Sequence, residues 1–221
     1  IVEGAIVDRI SNNRIKFYKN NANSVWGTIV PEWSERNKMD KANSEVIYVD
    51  EIDFSECLRR YGIPYYMKFD IEGMDLHCCR TLLNFSEKPN YISIESEKKN
   101  FNSLIHEILL FKKLGYDKFK IIQQDGISKQ MEDPNTTEGK YINYKFLEGS
   151  SGLFGNDLPG EWLSEEQAKN RYENIFFYYK LFGDYSILRK LMFTRLFLKL
   201  FRKFTGIPCP GWYDTHAKKK L

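Results

Sequence analysis

Tyr65-Tyr66-Met67-Lys68-Phe69-Asp70-Ile71-Glu72-Gly73-Met74-Asp75 is the stretch whose reading decides the fold. It begins apolar and aromatic and ends in charge. Side chains alternate faces along a strand, so Lys68, Asp70 and Glu72 share one side, and Met67, Phe69 and Ile71 the other. Gly73 then lets the chain turn sharply into a helix. In open α/β sheets, ligands bind beyond the carboxyl ends of the strands. Two carboxylates and a lysine at such an end need partners, because desolvating unpaired charge is costly. Periodicity leaves two readings open: a solvated or internally salt-bridged strand end, or a functional site.

Working outward, residues 1–7 and 14–18 read as strands, 46–49 as a short strand, and 54–61 as a helix ended by Gly62 and Pro64. Residues 20–43 read as polar and irregular, anchored by Trp26, Pro31 and Trp33. After the strand at 63–71 come a helix over 75–85, a strand over 91–97 and a helix over 101–114. That last helix has Leu104, Ile105, Ile108, Leu109 and Leu114 as its apolar face and Gly115 as its cap. A strand over 118–123 follows. Strands and helices alternating at this spacing predict βαβ units and a parallel sheet, with 63–71 and 91–96 side by side.

Residues 125–139 are turn-rich, and 141–147 read as an antiparallel edge strand. The glycines of 150–160 lack the strand-to-helix context of a phosphate cradle. Ser164 with Gln167 forms a capping box that starts a helix to about residue 182, and 186–204 reads as a second helix. Two domains are expected: a sheet domain over 1–147, and a loop with a helical extension over 148–221.

The net charge is only +3, which argues against a chain-wide nucleic-acid footprint. Mean hydropathy is −0.51, and no apolar run approaches the roughly 20 residues that span a bilayer. The charge is uneven: residues 186–221 carry nine Lys and Arg against Asp214 alone. Within 187–204, apolar residues including Ile187, Leu191, Leu198 and Phe204 interleave with basic ones. Such a helix can lie on a membrane surface, cover a dimer seam, or pack on the sheet with its lysines snorkelling. Cys57, Cys78, Cys79 and Cys209 form no C-x-x-C pair, so neither a zinc site nor a disulfide framework is indicated. They read as apolar filler in a reducing, cytoplasmic compartment. The chain opens without Met on what reads as a strand already under way, and is expected to be a fragment.

Lys68-Phe69-Asp70-Ile71-Glu72-Gly73 resembles the signature of FkbM-type methyltransferases, K-(I/V/F)-D-(I/V)-E-G. Gly4-Ala5-Ile6-Val7-Asp8 with Ile15-Lys16-Phe17-Tyr18, Val49-Asp50-Glu51-Ile52, and Tyr91 to Glu95 resemble flanking segments of that family. The resemblance covers roughly residues 1–123. It implies an α/β class I (Rossmann-like) methyltransferase with a mostly parallel sheet, truncated at its N-terminus and carrying a C-terminal helical extension. It also implies S-adenosylmethionine as cofactor and a hydroxyl of a sugar, glycan or other small molecule as acceptor. The family's glycine-rich first strand-turn is not among the 14 glycines here, which puts cofactor binding by this chain in doubt.

Methyl transfer to oxygen requires the acceptor to be oriented and, where it is a poor nucleophile, deprotonated. Asp70 is the first choice for that role, followed by Glu72 and Glu95. Lys68 is expected to hold Asp70 ionised. The resemblance places Gly4 and Ala5 against the adenine, with Asp70 also at the cofactor; Gly4 and Ala5 could equally serve close packing. The same carboxylates could hold Mg²⁺, a less favoured arrangement, and no metal ligand is assigned. His77 reads as a surface or satisfied histidine or as a base, and His106 as structural. Trp212 to Ala217 reads as a docked tail or a flap over the site. The rival function is a non-catalytic module that binds a partner or membrane through the 187–204 helix. A glycosyltransferase, with Asp70 and Glu72 as its D-x-D-like pair, stands third.

Overall fold

The computed structural model describes residues 1–11, 13–22, 26–39, 43–131, 133–147, 149–182 and 211–220. The chain divides into two compact units: residues 1–65 with 69–89, and residues 66–68 with 90–221. The boundary expected at 147/148 lies inside the second unit.

In the first unit, β1 (Ala5–Ile6), β2 (Arg14–Asn20) and β3 (Ser44–Ile52) form a sheet in the order β1-β3-β2. β1 runs parallel to β3, and β2 antiparallel to it. Gly4 leads into β1 at φ +146°, where a Cβ would stand 2.6 Å from the Asp50 carbonyl oxygen and 2.7 Å from Ile52 Cγ1. β1 can lie against β3 because residue 4 has no side chain.

Helix α1 (Pro31–Met39) follows β2. Helix α2 (Phe54–Tyr61) starts at Asp53, whose carboxylate accepts from Ser55 N at 2.8 Å and Glu56 N at 3.3 Å. Gly62, at φ +83°, ends it. Helix α3 (Asp75–Thr81) buries Cys78 and Cys79, and burial pushes the Cys78 thiol up to about 12. That fits apolar filler rather than reactive thiols.

In the second unit, β4 (Tyr66–Phe69), β5 (Tyr91–Glu95), β6 (Tyr116–Gln123) and β7 (Tyr213–Lys219) form a sheet in the order β4-β5-β7-β6. β7 is antiparallel to both β5 and β6. Helices α4 (Phe101–Lys113) and α5 (Glu165–Phe182) pack on each other and on β6. Leu104, Ile108 and Phe111 of α4 are buried at the i, i+4, i+7 spacing of a core face. The Tyr172 hydroxyl of α5 sits 2.6 Å from Ser96 Oγ and 2.5 Å from Thr215 Oγ1, joining helix to sheet. Residues 153–163 lie along the sheet's opposite face. There Phe154 stacks on Tyr66 with centroids 4.5 Å apart, and Lys120 Nζ donates to the Leu158 carbonyl at 2.6 Å.

Several expectations need correction. Two small sheets with antiparallel pairings replace the mostly parallel, Rossmann-like class I methyltransferase sheet. Periodicity reports which residues are buried but not which strand lies beside them, so β7's insertion between β5 and β6 left no mark on residues 63–123. Residues 31–39 are a helix rather than irregular, and 141–147 form no strand. Leu109 is 44% exposed, and Phe111 takes the core position expected of it. The helix expected at 186–204, with its membrane or partner role, lies outside the described residues. Among the described residues, no helix is long and apolar enough to cross a membrane.

A Gly4→Ala substitution is expected to destabilise the protein by about 1–3 kcal/mol, since it adds both left-handed strain and a clash with β3. Urea-denaturation midpoints check this; an unchanged midpoint would mean that β1 does not need the glycine.

Candidate functional site

The turn that follows β4 is built locally and then clamped. Asp70 comes directly after the strand and is exposed. Glu72 sits at φ +47°, in the left-handed region that residues with a Cβ enter at a cost, and Gly73 at φ +113°. The Asp75 carboxylate holds both sides of the turn, accepting from Ile71 N at 3.0 Å and Gly73 N at 3.2 Å. Thr28 Oγ1 donates to the Glu72 carbonyl at 2.8 Å. A Cβ on Gly73 would lie 2.9 Å from Val30 Cγ2, so the 28–33 segment packs directly on this glycine. Asp70 thus projects from backbone that is fixed at three neighbouring atoms. The sequence shows the turn through its glycine. Asp75's role as a clamp was missed, and its only signal is a carboxylate two residues after the glycine.

The second group lies on one face of the four-stranded sheet. Lys68 Nζ donates to Asp214 Oδ2 at 2.7 Å, with the side chains 18% and 1% exposed. Asp214 is therefore a carboxylate at the Lys68 ammonium, a partner that the sequence did not point to. Glu95 is in register with Asp214, and Lys98 Nζ stands 3.4 Å from its carboxylate. One step further along the strands, Ser93 and Lys120 flank His216 in register. The Tyr66 and Ser93 hydroxyls are 2.7 Å apart, and the Tyr66 ring lies parallel to His216. Burial raises the Tyr66 pKa. Burial, with the charges of Lys68 and Lys120 adding to it, pushes His216 down to about 3. Among the described residues, neither ring nitrogen of His216 meets a hydrogen-bond partner. Trp212 to Ala217 is thus largely a strand within the sheet, which rules out the flap.

Of the predicted residues, Asp70 and Glu72 belong to the first unit, and Lys68 and Glu95 to the second. Gly4 and Ala5 do not fit as an adenine seat: the space beside Gly4 is filled by Asp50 and Ile52 of this chain, and Ala5 is buried. Among the described residues, no three His, Cys, Asp or Glu side chains converge as a metal site requires. A hollow of about 330 Å³ in the second unit is lined by Lys120, Gln123, Gln130 and Arg171, and none of the predicted site residues reaches it. Comparison with family models, curated proteins and solved structures finds no match for this chain.

Breaking the Lys68–Asp214 pair from one side should cost about 3 kcal/mol or more, because the surviving charge stays buried. Asp214→Asn and Lys68→Met should each show this in urea titrations, and the double variant should recover much of the loss; additive losses would mean that the pair is not coupled. His216 gives a second outcome. Its folded pKa lies below its unfolded value, so its contribution is complete above about pH 6.5 and fades as pH falls toward about 3. Stability should fall by up to about 1.4 kcal/mol per pH unit from this residue, and His216→Gln should flatten that slope between pH 6 and 4.

Proposed function

We propose that this chain carries acceptor-side residues of an S-adenosylmethionine-dependent O-methyltransferase acting on a hydroxyl of a sugar, glycan or other small molecule. Support comes from the run Lys68 to Gly73 and its likeness to the FkbM-type signature. The observation that carries the reading is the presentation of Asp70: an exposed carboxylate at a strand end, on a turn held by Asp75 and Thr28. A backbone held this way limits where the Asp70 carboxylate can reach, and placing a group to accept from an acceptor hydroxyl is how positioning lowers a barrier. The bound cofactor would supply an electrophilic methyl group. The chain's own contribution is to orient the hydroxyl and draw off its proton. Glu72, half-buried on the same turn, offers a second acceptor oxygen for a neighbouring hydroxyl.

Calorimetric titration of S-adenosylhomocysteine into the natural full-length protein tests the reading. The parent should give measurable heat; Asp70→Ala, which acts on the acceptor, should keep that heat while methyl transfer from labelled S-adenosylmethionine falls at least tenfold. A parent without binding heat overturns the assignment, and undiminished transfer in Asp70→Ala removes Asp70 from the acceptor.

A further inference from the structure

β6 is paired along one edge and only in part along the other. Lys120 and Ile122 stand opposite His216 and Asp214 of β7, and Gln124 N donates to the Trp212 carbonyl at 3.0 Å. Peptide groups alternate between the two edges of a strand, so those of Phe119, Ile121 and Gln123 face away from β7. Phe119 shows what that edge accepts. Its N–H donates to the Leu163 carbonyl at 2.9 Å and its carbonyl accepts from Leu163 N at 2.7 Å, an antiparallel bridge. Residues 158–160 then bend, with Gly160 at φ +82°. Among the described residues, no bridge reaches Ile121 or Gln123 on this side.

The hollow of about 330 Å³ lies at this gap. Its lining runs from Lys120 to Gln123 on one side and from Pro159 to Glu161 on the other, with Arg171 of α5. Ligand sites hold about 300–1,000 Å³, so the space is large enough for part of an extended chain. Ile121 is 3% exposed, and peptide groups that well shielded need partners. In charge, Lys120 and Arg171 outweigh Glu161. Lys120 is already engaged by the Leu158 carbonyl and the Trp162 ring, whereas Arg171 is exposed. We propose that this hollow receives an extended peptide segment with an acidic side chain, added as a strand to the β6 edge at Ile121 and Gln123. The segment's backbone exchanges hydrogen bonds with the outward N–H and C=O groups, as Leu163 does with Phe119, and its carboxylate meets the Arg171 guanidinium. The assignment uses none of the residues of the Asp70–Asp75 turn and stands apart from the methyltransferase reading.

The capped tripeptide acetyl-Val-Glu-Val-amide, titrated into ¹⁵N-labelled full-length protein, tests this. The Ile121 and Gln123 amide signals should move downfield, with a Kd of about 1 mM or tighter. Gln123 has φ −77° and ψ 130°, which proline adopts, and its N–H points away from β7. Gln123→Pro therefore removes an outward donor and leaves the β7 ladder whole. It should keep the parent's urea midpoint and bind the peptide about tenfold more weakly. Arg171→Glu, an exposed change that reports whether or not the proline variant folds, should bind acetyl-Val-Lys-Val-amide in preference to the acidic probe. Unmoved Ile121 and Gln123 amides overturn the proposal, as does undiminished binding by a folded Gln123→Pro. An Arg171→Glu variant that still prefers the acidic probe overturns the charge assignment. Glutarate that moves the same signals at equal affinity overturns the peptide, and makes the hollow a site for small carboxylates.

Discussion

β7 must satisfy the edges of two strands at once, and most of the second unit is arranged around that demand. Tyr213 to Ala217 are all buried, and the strand exchanges hydrogen bonds with β5 on one side and β6 on the other. The pairing brings Asp214 opposite Glu95, and like charges placed directly across a sheet repel. Lys68 resolves the conflict from β4, two strands away, by reaching over β5 to Asp214. Lys98 answers Glu95 from the loop beyond its strand. Arranging these charges costs desolvation, and on the opposite face of the sheet the Tyr172–Ser96–Thr215 hydroxyl cluster secures α5.

The elements that could be read from sequence are those whose stop and start signals are local. α2 lies where Asp53 and Gly62 place it. α5 begins at the Ser164–Gln167 box, whose two reciprocal hydrogen bonds measure 2.8 and 3.2 Å. Gly115 ends α4 as expected, donating to Lys112. Non-local pairing was not legible. Nothing near residues 91 or 118 records that a strand from residues 213–219 will separate them. The candidate site divides in the same way. Gly73 announced the turn, whereas the Lys68–Asp214 pair joins residues 146 positions apart and leaves no trace in either neighbourhood.

Gly4 and Gly73 serve different ends in the structure. Gly4 is explained by its own chain, because β3 fills the space that a ligand would need. Gly73 is required by a positive φ and by contact with Val30, and beside it Glu72 is held in a conformation it would not choose. Strain of this kind persists only where the surroundings over-determine it, and here Asp75 and Thr28 supply the restraint. An exposed carboxylate, Asp70, stands beside the Gly73 turn.

β7 also sets a schedule for folding. β5 and β6 are complete about 90 residues before Tyr213–Lys219 is made. At a synthesis rate of roughly 5–20 residues per second, their facing edges wait several seconds for a native partner. Open strand edges invite pairing with other chains, so a nascent copy of this protein is exposed to mispairing until β7 is in place.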